Sequence, residues 1–579
     1  MTDDSTRSTI AYFSMEICLE QAIPTYSGGL GVLSGDTLRS CADLGVPVSA
    51  VSLLHRKGYF EQHLDAYGQQ TESPVSWNPE QVLEAVDARA TVTIEERTVH
   101  VRAWKYTITG VRGHEVPVYL LDTRLPENGE WDQTLTDCLY GGDEHYRLCQ
   151  EIVLGMGGVA LLQALGHDAG TTYHLNEGHS ALLTLQLLER QLDGRQPFEL
   201  NDADMNAVRQ RCIFTTHTPV PAGHDKFPID RVRSVLGDER VALLEGAGGV
   251  SDGMLNMTHL ALNLTRFVNA VAMRHRDVSR AMFPEYAISS ITNGVHATTW
   301  TGPAFTALFD RHIPEWRRDN LYLRYAVSIP LQDVRDAHAA SKRALLDEIA
   351  RRTGVTLDPS VLTIGFARRA TPYKRADLIF SDLDRLTTMA KNVGKLQIVF
   401  GGKAHPHDGG GKELIRRIFA ARERLGDLVK IVYVENYEMS LASLMTAGVD
   451  LWLNNPMKPL EASGTSGMKA ALNGVPSFSV LDGWWVEGHV EGVTGWSMGT
   501  PDADGDPARD ALDLYGKLGR VIMPLYYGLP FAYAEVMRSS IALNASFFNT
   551  QRMVRQYVHN AYFPDTLPAD VTVEATALL

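Results

Sequence analysis

Val361-Leu-Thr-Ile-Gly-Phe366, Leu396-Gln-Ile-Val-Phe400, Lys430-Ile-Val-Tyr-Val434 and Asp450-Leu-Trp-Leu453 are short apolar runs rich in β-branched and aromatic residues. Most are followed at once by Gly, Asn or Glu. Helix-patterned stretches separate them, over 376–391, 411–425 and 440–447. Strands apolar on both faces and alternating with helices indicate a parallel sheet covered by helices. This part of the chain therefore reads as a doubly wound α/β domain.

The first half repeats the theme less regularly. Candidate strands are Val118-Tyr-Leu-Leu121, Thr172-Tyr-His174 and Cys212-Ile-Phe-Thr215, with long helices expected over 146–165 and 260–282. At 579 residues the chain exceeds one core and is expected to divide. The expected parts are 1–305, 306–545 and a C-terminal helical segment, 546–579, packing back on the first, with the crossover in 303–331. Two doubly wound, Rossmann-like domains would face each other across a cleft outside the carboxyl ends of their strands, where such folds bind ligands.

A net charge of −15 with no long basic run disfavours nucleic acid or an anionic membrane as partner. It suits a neutral substrate, or a small anion held in a local positive pocket. Five scattered cysteines without CxxC spacing argue against a disulfide framework or a structural zinc site, and no metal is expected. With neither a signal-peptide pattern nor a membrane-length apolar run, the expected location is cytoplasmic.

The segment Glu461-Ala-Ser-Gly-Thr-Ser-Gly-Met-Lys469 follows a strand and opens a helix. Free N–H groups and the positive dipole end make such a place suitable for a phosphate, with a lysine beside it. Gly-rich turns are also common punctuation between strand and helix, so this segment alone leaves both readings open. Arg368-Arg369-Ala-Thr-Pro-Tyr373-Lys374-Arg375 puts four cations just after a strand, on the ligand side of the sheet, which suits an anion. Tyr26-Ser-Gly28-Gly29-Leu-Gly31 lets backbone N–H groups approach an anion, or is simply a turn. His174-Leu-Asn-Glu177-Gly-His179, the segment from Thr215 through His217 to His224, and Ile291-Thr-Asn293 carry polar residues after apolar runs, as a sugar site would need.

Taken in order, these segments resemble the glycogen and maltodextrin phosphorylase family. The match begins at Ala11-Tyr-Phe-Ser-Met-Glu16, passes through Gly58-Tyr-Phe-Glu-Gln62, Gly401-Gly-Lys-Ala404 and Asn436-Tyr-Glu-Met-Ser-Leu441, and ends in the Glu461–Lys469 box. The resemblance implies two domains of the GT-B type. It implies pyridoxal phosphate held as a covalent aldimine on Lys469, with Gly464, Thr465, Gly467 and Arg368 around it. Arg369 and Lys374 are implied to grip substrate phosphate, with His217 and Glu461 in the catalytic set. Gly28, Gly29, Asn293, Ser463, Glu177, His179 and Tyr373 are the implied substrate-binding residues. The implied partners are an α-1,4-glucan or maltodextrin and inorganic phosphate, in a homodimer.

Ala370-Thr-Pro372 and Pro219-Val-Pro-Ala-Gly223 depart from the longer members' pattern. The phosphorylated arm and the nucleotide and storage sites of those members are not carried over. A nucleotide-sugar glucan synthase of the same fold and a non-catalytic glucan-binding protein are the competing readings. Neither requires Lys469 together with Arg369 and Lys374.

Overall fold

A computed structural model describes residues 9–167, 170–500 and 506–564. The first half builds one sheet of nine strands: β1 (Ile10–Phe13), β2 (Val48–Leu53), β3 (Glu84–Ile94), β4 (Arg97–Thr109), β5 (Glu115–Asp122), β6 (Thr172–Asn176), β7 (Cys212–Thr215), β8 (Phe267–Ala270) and β9 (Ser289–Ser290). Their spatial order is β9-β8-β7-β6-β1-β2-β5-β4-β3. The run from β9 to β5 is parallel, and β4 and β3 extend it antiparallel.

The second half builds a six-stranded, wholly parallel sheet: β10 (Leu362–Ala367), β11 (Leu396–Gly401), β12 (Val429–Val434), β13 (Leu451–Asn454), β14 (Ser477–Val480) and β15 (Gly495–Met498). Its order is β12-β11-β10-β13-β14-β15. In both sheets the chain first grows to one side of the founding strand and then to the other. The reversals fall between β1 and β6 and between β10 and β13. Loops leaving neighbouring strands diverge at such a reversal and open a crevice.

The burial pattern explains why these runs are strands. Alternate residues of a strand face opposite sides. Ile10 and Tyr12 enter one apolar core, while Ala11 and Phe13 enter another. The core containing Ile10 is completed by Met553, Val554, Tyr557 and Tyr562, so residues late in the chain pack on the first sheet. The remainder of the expected C-terminal segment, 565–579, lies outside the described residues.

Two expectations are corrected and a third, the helix over 146–165, holds with one irregular turn. The helix expected over 260–282 is two helices, Met257–Asn263 and Met273–Met282, separated by β8. The one over 146–165 is helical throughout but passes through a π-turn at Val153–Gly157. The stretch 376–391 forms a short 3-10 turn at Leu378–Phe380 and an α-helix only from Leu383. Among the described residues no helix is long and apolar enough to cross a membrane, and no cluster of three or more His, Cys, Asp or Glu could hold a metal.

Candidate active site

Strands β10 and β13 deliver the charged residues. Their next segments start at Arg368 and Asn455, on either side of the second sheet's reversal. There Arg368 donates to Asn454 Oδ1 and Glu461, and Lys374 Nζ lies 2.6 Å from Glu461 Oε2. Glu461 is only 5% exposed. Burial alone would raise its carboxyl, but Arg368 and Lys374 override that and bring it down to about 2. It is thus ionised at any physiological pH and fixes two cations at once. Its N–H donates to Asp482 Oδ2 at 2.9 Å, and burial next to the Glu461 charge pushes Asp482 up to about 6.

The four adjacent cations have three different fates. Arg375, at φ +50°, donates to the carbonyls of Asn455 and Pro456 and pairs with Asp510 at 2.8 Å; it holds the loop. Arg368 and Lys374 are shared with Glu461. Arg369 is exposed and has no hydrogen bond or ion pair among the described residues. Its charge acts on the hydroxyls of Tyr59 and Tyr140, which places it opposite the first half. Tyr373 is half-buried under Lys374, whose Nζ is 4.5 Å from the ring centre.

Lys469 belongs to α2 (Ser466–Leu472). It is 6% exposed and so does not lie on a solvated helix face. Its Nζ has no hydrogen bond or ion pair among the described residues and lies 3.8 Å from the centre of the Trp300 ring. Burial lowers this amine to about 8, against the opposing pull of Asp36 and Cys18. Trp300 Nε1 in turn donates to Asp36 Oδ2 at 2.7 Å. Gly464 takes φ +85°, a backbone glycine adopts freely. Thr465 caps α2 from the αR region and accepts the Lys469 N–H on its carbonyl. A Cβ on Gly467 would stand 2.8 Å from the Trp484 ring, so its smallness serves packing.

On the first-half side, His217 Nε2 lies 2.7 Å from Asn176 Oδ1. The Asn176 amide donates to Ser14 and Ser34, so its oxygen accepts and His217 carries its proton on Nε2. Burial, then neighbouring histidines, draws His217 down to about 3 and keeps it neutral, with Nδ1 as acceptor. Glu177, held at φ +75°, accepts from the N–H groups of Gly178 and His217 and from the Thr218 hydroxyl. His179 faces Asp225 at 3.4 Å. Glu177 is occupied within the protein, which fits a supporting role, whereas His179 Nδ1 is buried with no partner among the described residues.

Asn293 and Ser463 come from opposite halves and are linked through one segment. Thr292 donates to Glu487 at 2.7 Å, and Trp484 donates its N–H to the Ser463 carbonyl at 2.8 Å. Asn293 Oδ1 and Ser463 Oγ are buried without a partner, the state expected of atoms that meet a ligand. Gly28 and Gly29 open α1 (Gly29–Leu44). No atom lies within 4 Å of where a Cβ would stand on either, so that side is open. The Gly28 N–H is already bound by Glu16 at 3.2 Å, which leaves Gly29 as the free donor of the pair.

Sequence reasoning passed over Asp36, Cys18 and Trp300, the surroundings of Lys469. A Trp seven residues beyond Asn293 in Asn-Gly-Val-His-Ala-Thr-Thr-Trp300 was the available signal.

Residues 237–492 match the family model described as carbohydrate phosphorylase. A maltodextrin phosphorylase of Thermococcus litoralis is 40% identical over 96% of this chain and 70% of its own length. A glycogen phosphorylase of Aquifex aeolicus is 35% identical over 97% and 87%. An uncharacterized protein of Methanocaldococcus jannaschii is 30% identical over 95% and 99%.

Proposed function

Because the chain belongs to the carbohydrate phosphorylase family, we propose that it is an α-glucan phosphorylase, using inorganic phosphate to release α-glucose 1-phosphate from an α-1,4-glucan. The observation that carries this reading is the buried amine of Lys469, which has no hydrogen bond or ion pair among the described residues. A nucleotide-sugar enzyme has no use for such a lysine.

The residues fit pyridoxal phosphate. The amine is partly unprotonated near neutral pH, an indole face lies against it, and no carboxylate pairs with it among the described residues. Lys469 would hold the cofactor, with Gly464, Thr465 and Arg368 toward its phosphate. When bound, that group supplies a second phosphate with which the substrate phosphate can share a proton, since two crowded anions do not both keep full charge.

The chain's own residues do the rest. The free guanidinium of Arg369 offers forked donors to the substrate phosphate, and Lys374 adds a point charge whose position Glu461 fixes. These cations are in place before charge moves, so no reorganisation is needed as negative charge shifts. Asn293 Oδ1 and Ser463 Oγ are suited to hydroxyl groups of the terminal glucosyl unit. The neutral His217, anchored through Nε2, presents an acceptor at Nδ1. With substrate phosphate supplying both the proton to the glycosidic oxygen and the oxygen that takes the glucosyl unit, no glycosidase-type carboxylate pair is required, and the α-configuration is retained. The halves 1–305 and 306–545 act as two domains closing on the substrate, which excludes water and favours phosphorolysis over hydrolysis.

The test is to record the absorbance of the purified protein for pyridoxal phosphate and to measure glucose 1-phosphate release from maltodextrin with and without phosphate. A colourless protein that transfers glucose from a nucleotide sugar, and not to phosphate, overturns the reading.

A further inference from the structure

Strand β1 delivers Ser14-Met-Glu16 to the reversal of the first sheet, next to Glu177 at the end of β6. Glu16 is 3% exposed, yet no cation pairs with it among the described residues. Its partners are neutral donors. Oε2 accepts from the Ser27 N–H at 2.5 Å, the Ser27 hydroxyl at 3.1 Å and the Gly28 N–H at 3.2 Å. Oε1 accepts from the Tyr140 hydroxyl at 3.0 Å. A buried carboxylate is stable only when its oxygens are satisfied in this way.

The neighbours are shaped around this contact. A Cβ on Gly31 would stand 2.8 Å from Glu16 Oε2, so a glycine is what lets α1 come this close. Tyr140, held at φ +54°, lies under Arg147 at 4.7 Å. Arg147 is fixed by Glu151 and Asp225, each at 3.0 Å. A chain of buried contacts therefore sets the direction of the Glu16 carboxylate before any ligand arrives.

We infer that Glu16 is a positioning residue for the phosphate site: by taking the last two donors before α1, it aims the next amides, from Gly29 on, into the crevice opposite Arg369. The inference rests on the phosphorylase reading and deepens it. Glu16 touches neither substrate nor cofactor; it acts through the loop. The first-turn N–H groups of a 16-residue helix have no intrahelical acceptors and carry the positive end of its dipole. Their usefulness to an anion depends on direction, and Glu16 sets that direction.

The holoenzyme with Glu16→Gln tests this. Glutamine keeps the shape and one acceptor, but its NH2 end cannot accept, so either the loop or Tyr140 loses its anchor. The KM for phosphate should rise about tenfold, the ordinary effect of losing a charge-assisted hydrogen bond, while the KM for maltodextrin stays within about twofold and Tm hardly moves. Tyr140→Phe, which removes only the hydroxyl orienting Oε1, should raise the phosphate KM by a smaller factor, about threefold on the scale of a neutral hydrogen bond; it carries the test if Glu16→Gln does not fold. An unchanged phosphate KM, or both KM values rising together with a fall in Tm, overturns the assignment. If the unaltered enzyme shows no phosphate-dependent release at all, it is the phosphorylase reading that fails.

Discussion

Lys469 of the second half rests its Nζ 3.8 Å from the centre of the Trp300 ring of the first. Burial lowers this amine to about 8 from the usual 10.5, against the opposing pull of Asp36 and Cys18. Incorporation of pyridoxal phosphate into apoprotein should therefore accelerate as pH rises from about 7 and level off above about 8, as the unprotonated amine becomes dominant. Absorbance of the bound cofactor follows this directly, and Lys469→Ala should retain none after gel filtration.

Arg369→Ala should weaken phosphate use selectively. The side chain is exposed and has no partner among the described residues, so its removal breaks no contact described there and Tm should shift by no more than about 1 °C. The loss of a charged, forked donor should raise the KM for phosphate at least about tenfold, read from initial rates at saturating maltodextrin.

Two glycine substitutions should separate open space from packing. Gly29→Ala meets no atom within 4 Å and improves helix propensity, so stability should hold or gain up to about 1 kcal/mol while phosphorolysis falls. Gly467→Ala drives a methyl against Trp484 and Ser477 and should cost about 1–3 kcal/mol of stability. Urea unfolding of the two variants, alongside activity, checks both signs.

Glu461→Ala should destabilise the protein by about 3 kcal/mol, because Arg368 and Lys374 would remain buried without their counter-charge. Thermal unfolding measures this, and a variant as stable as the parent would show that the cations find other partners.

Acid should act through histidines before it reaches Glu461. Burial draws His55, His179, His224 and His275 to about 4 and His174 and His217 to about 3. Each folded value lies below the unfolded 6.5, so each contributes stability in full above pH 6.5, and that contribution is lost as pH falls toward the folded value. At pH 5 the unfolded chain's preference for the proton amounts to about 2 kcal/mol per histidine. Tm should drop steeply below pH 6.5, and a profile flat to pH 5 would contradict these environments.

The parallel strands were legible because both of their faces are apolar, a pattern few other elements share. Strands β3 and β4 were not. They are half-exposed, and their turn, Glu95-Glu96, takes positive φ at both residues without the Asn-Gly that usually announces it. Strand β8 is four residues long between two helices and vanished into their periodicity. In the site, proximity to strand ends located Arg368 through Lys374 and Glu461 through Lys469. What the sequence could not separate is the fate of like charges: Arg369 and Arg375 look alike on paper, and only the fold shows one free and the other tied to Asp510. Glu16 stood within a recognisable motif, but its acceptor role depends on Ser27 and Tyr140, the latter 124 residues away.

Arg552 donates to the backbone carbonyls of Thr292 and Asn293, some 260 positions earlier, and Tyr557 hydrogen-bonds Thr215 and Asn269 at the ends of β7 and β8. During synthesis on the ribosome, the first sheet emerges long before these clasps exist. The loop at Asn293 must wait, its carbonyls bound only to water, until Arg552 leaves the exit tunnel. A nascent chain stalled short of Arg552 should therefore protect β1 and β2 from protease while the loop at Asn293 is still cut.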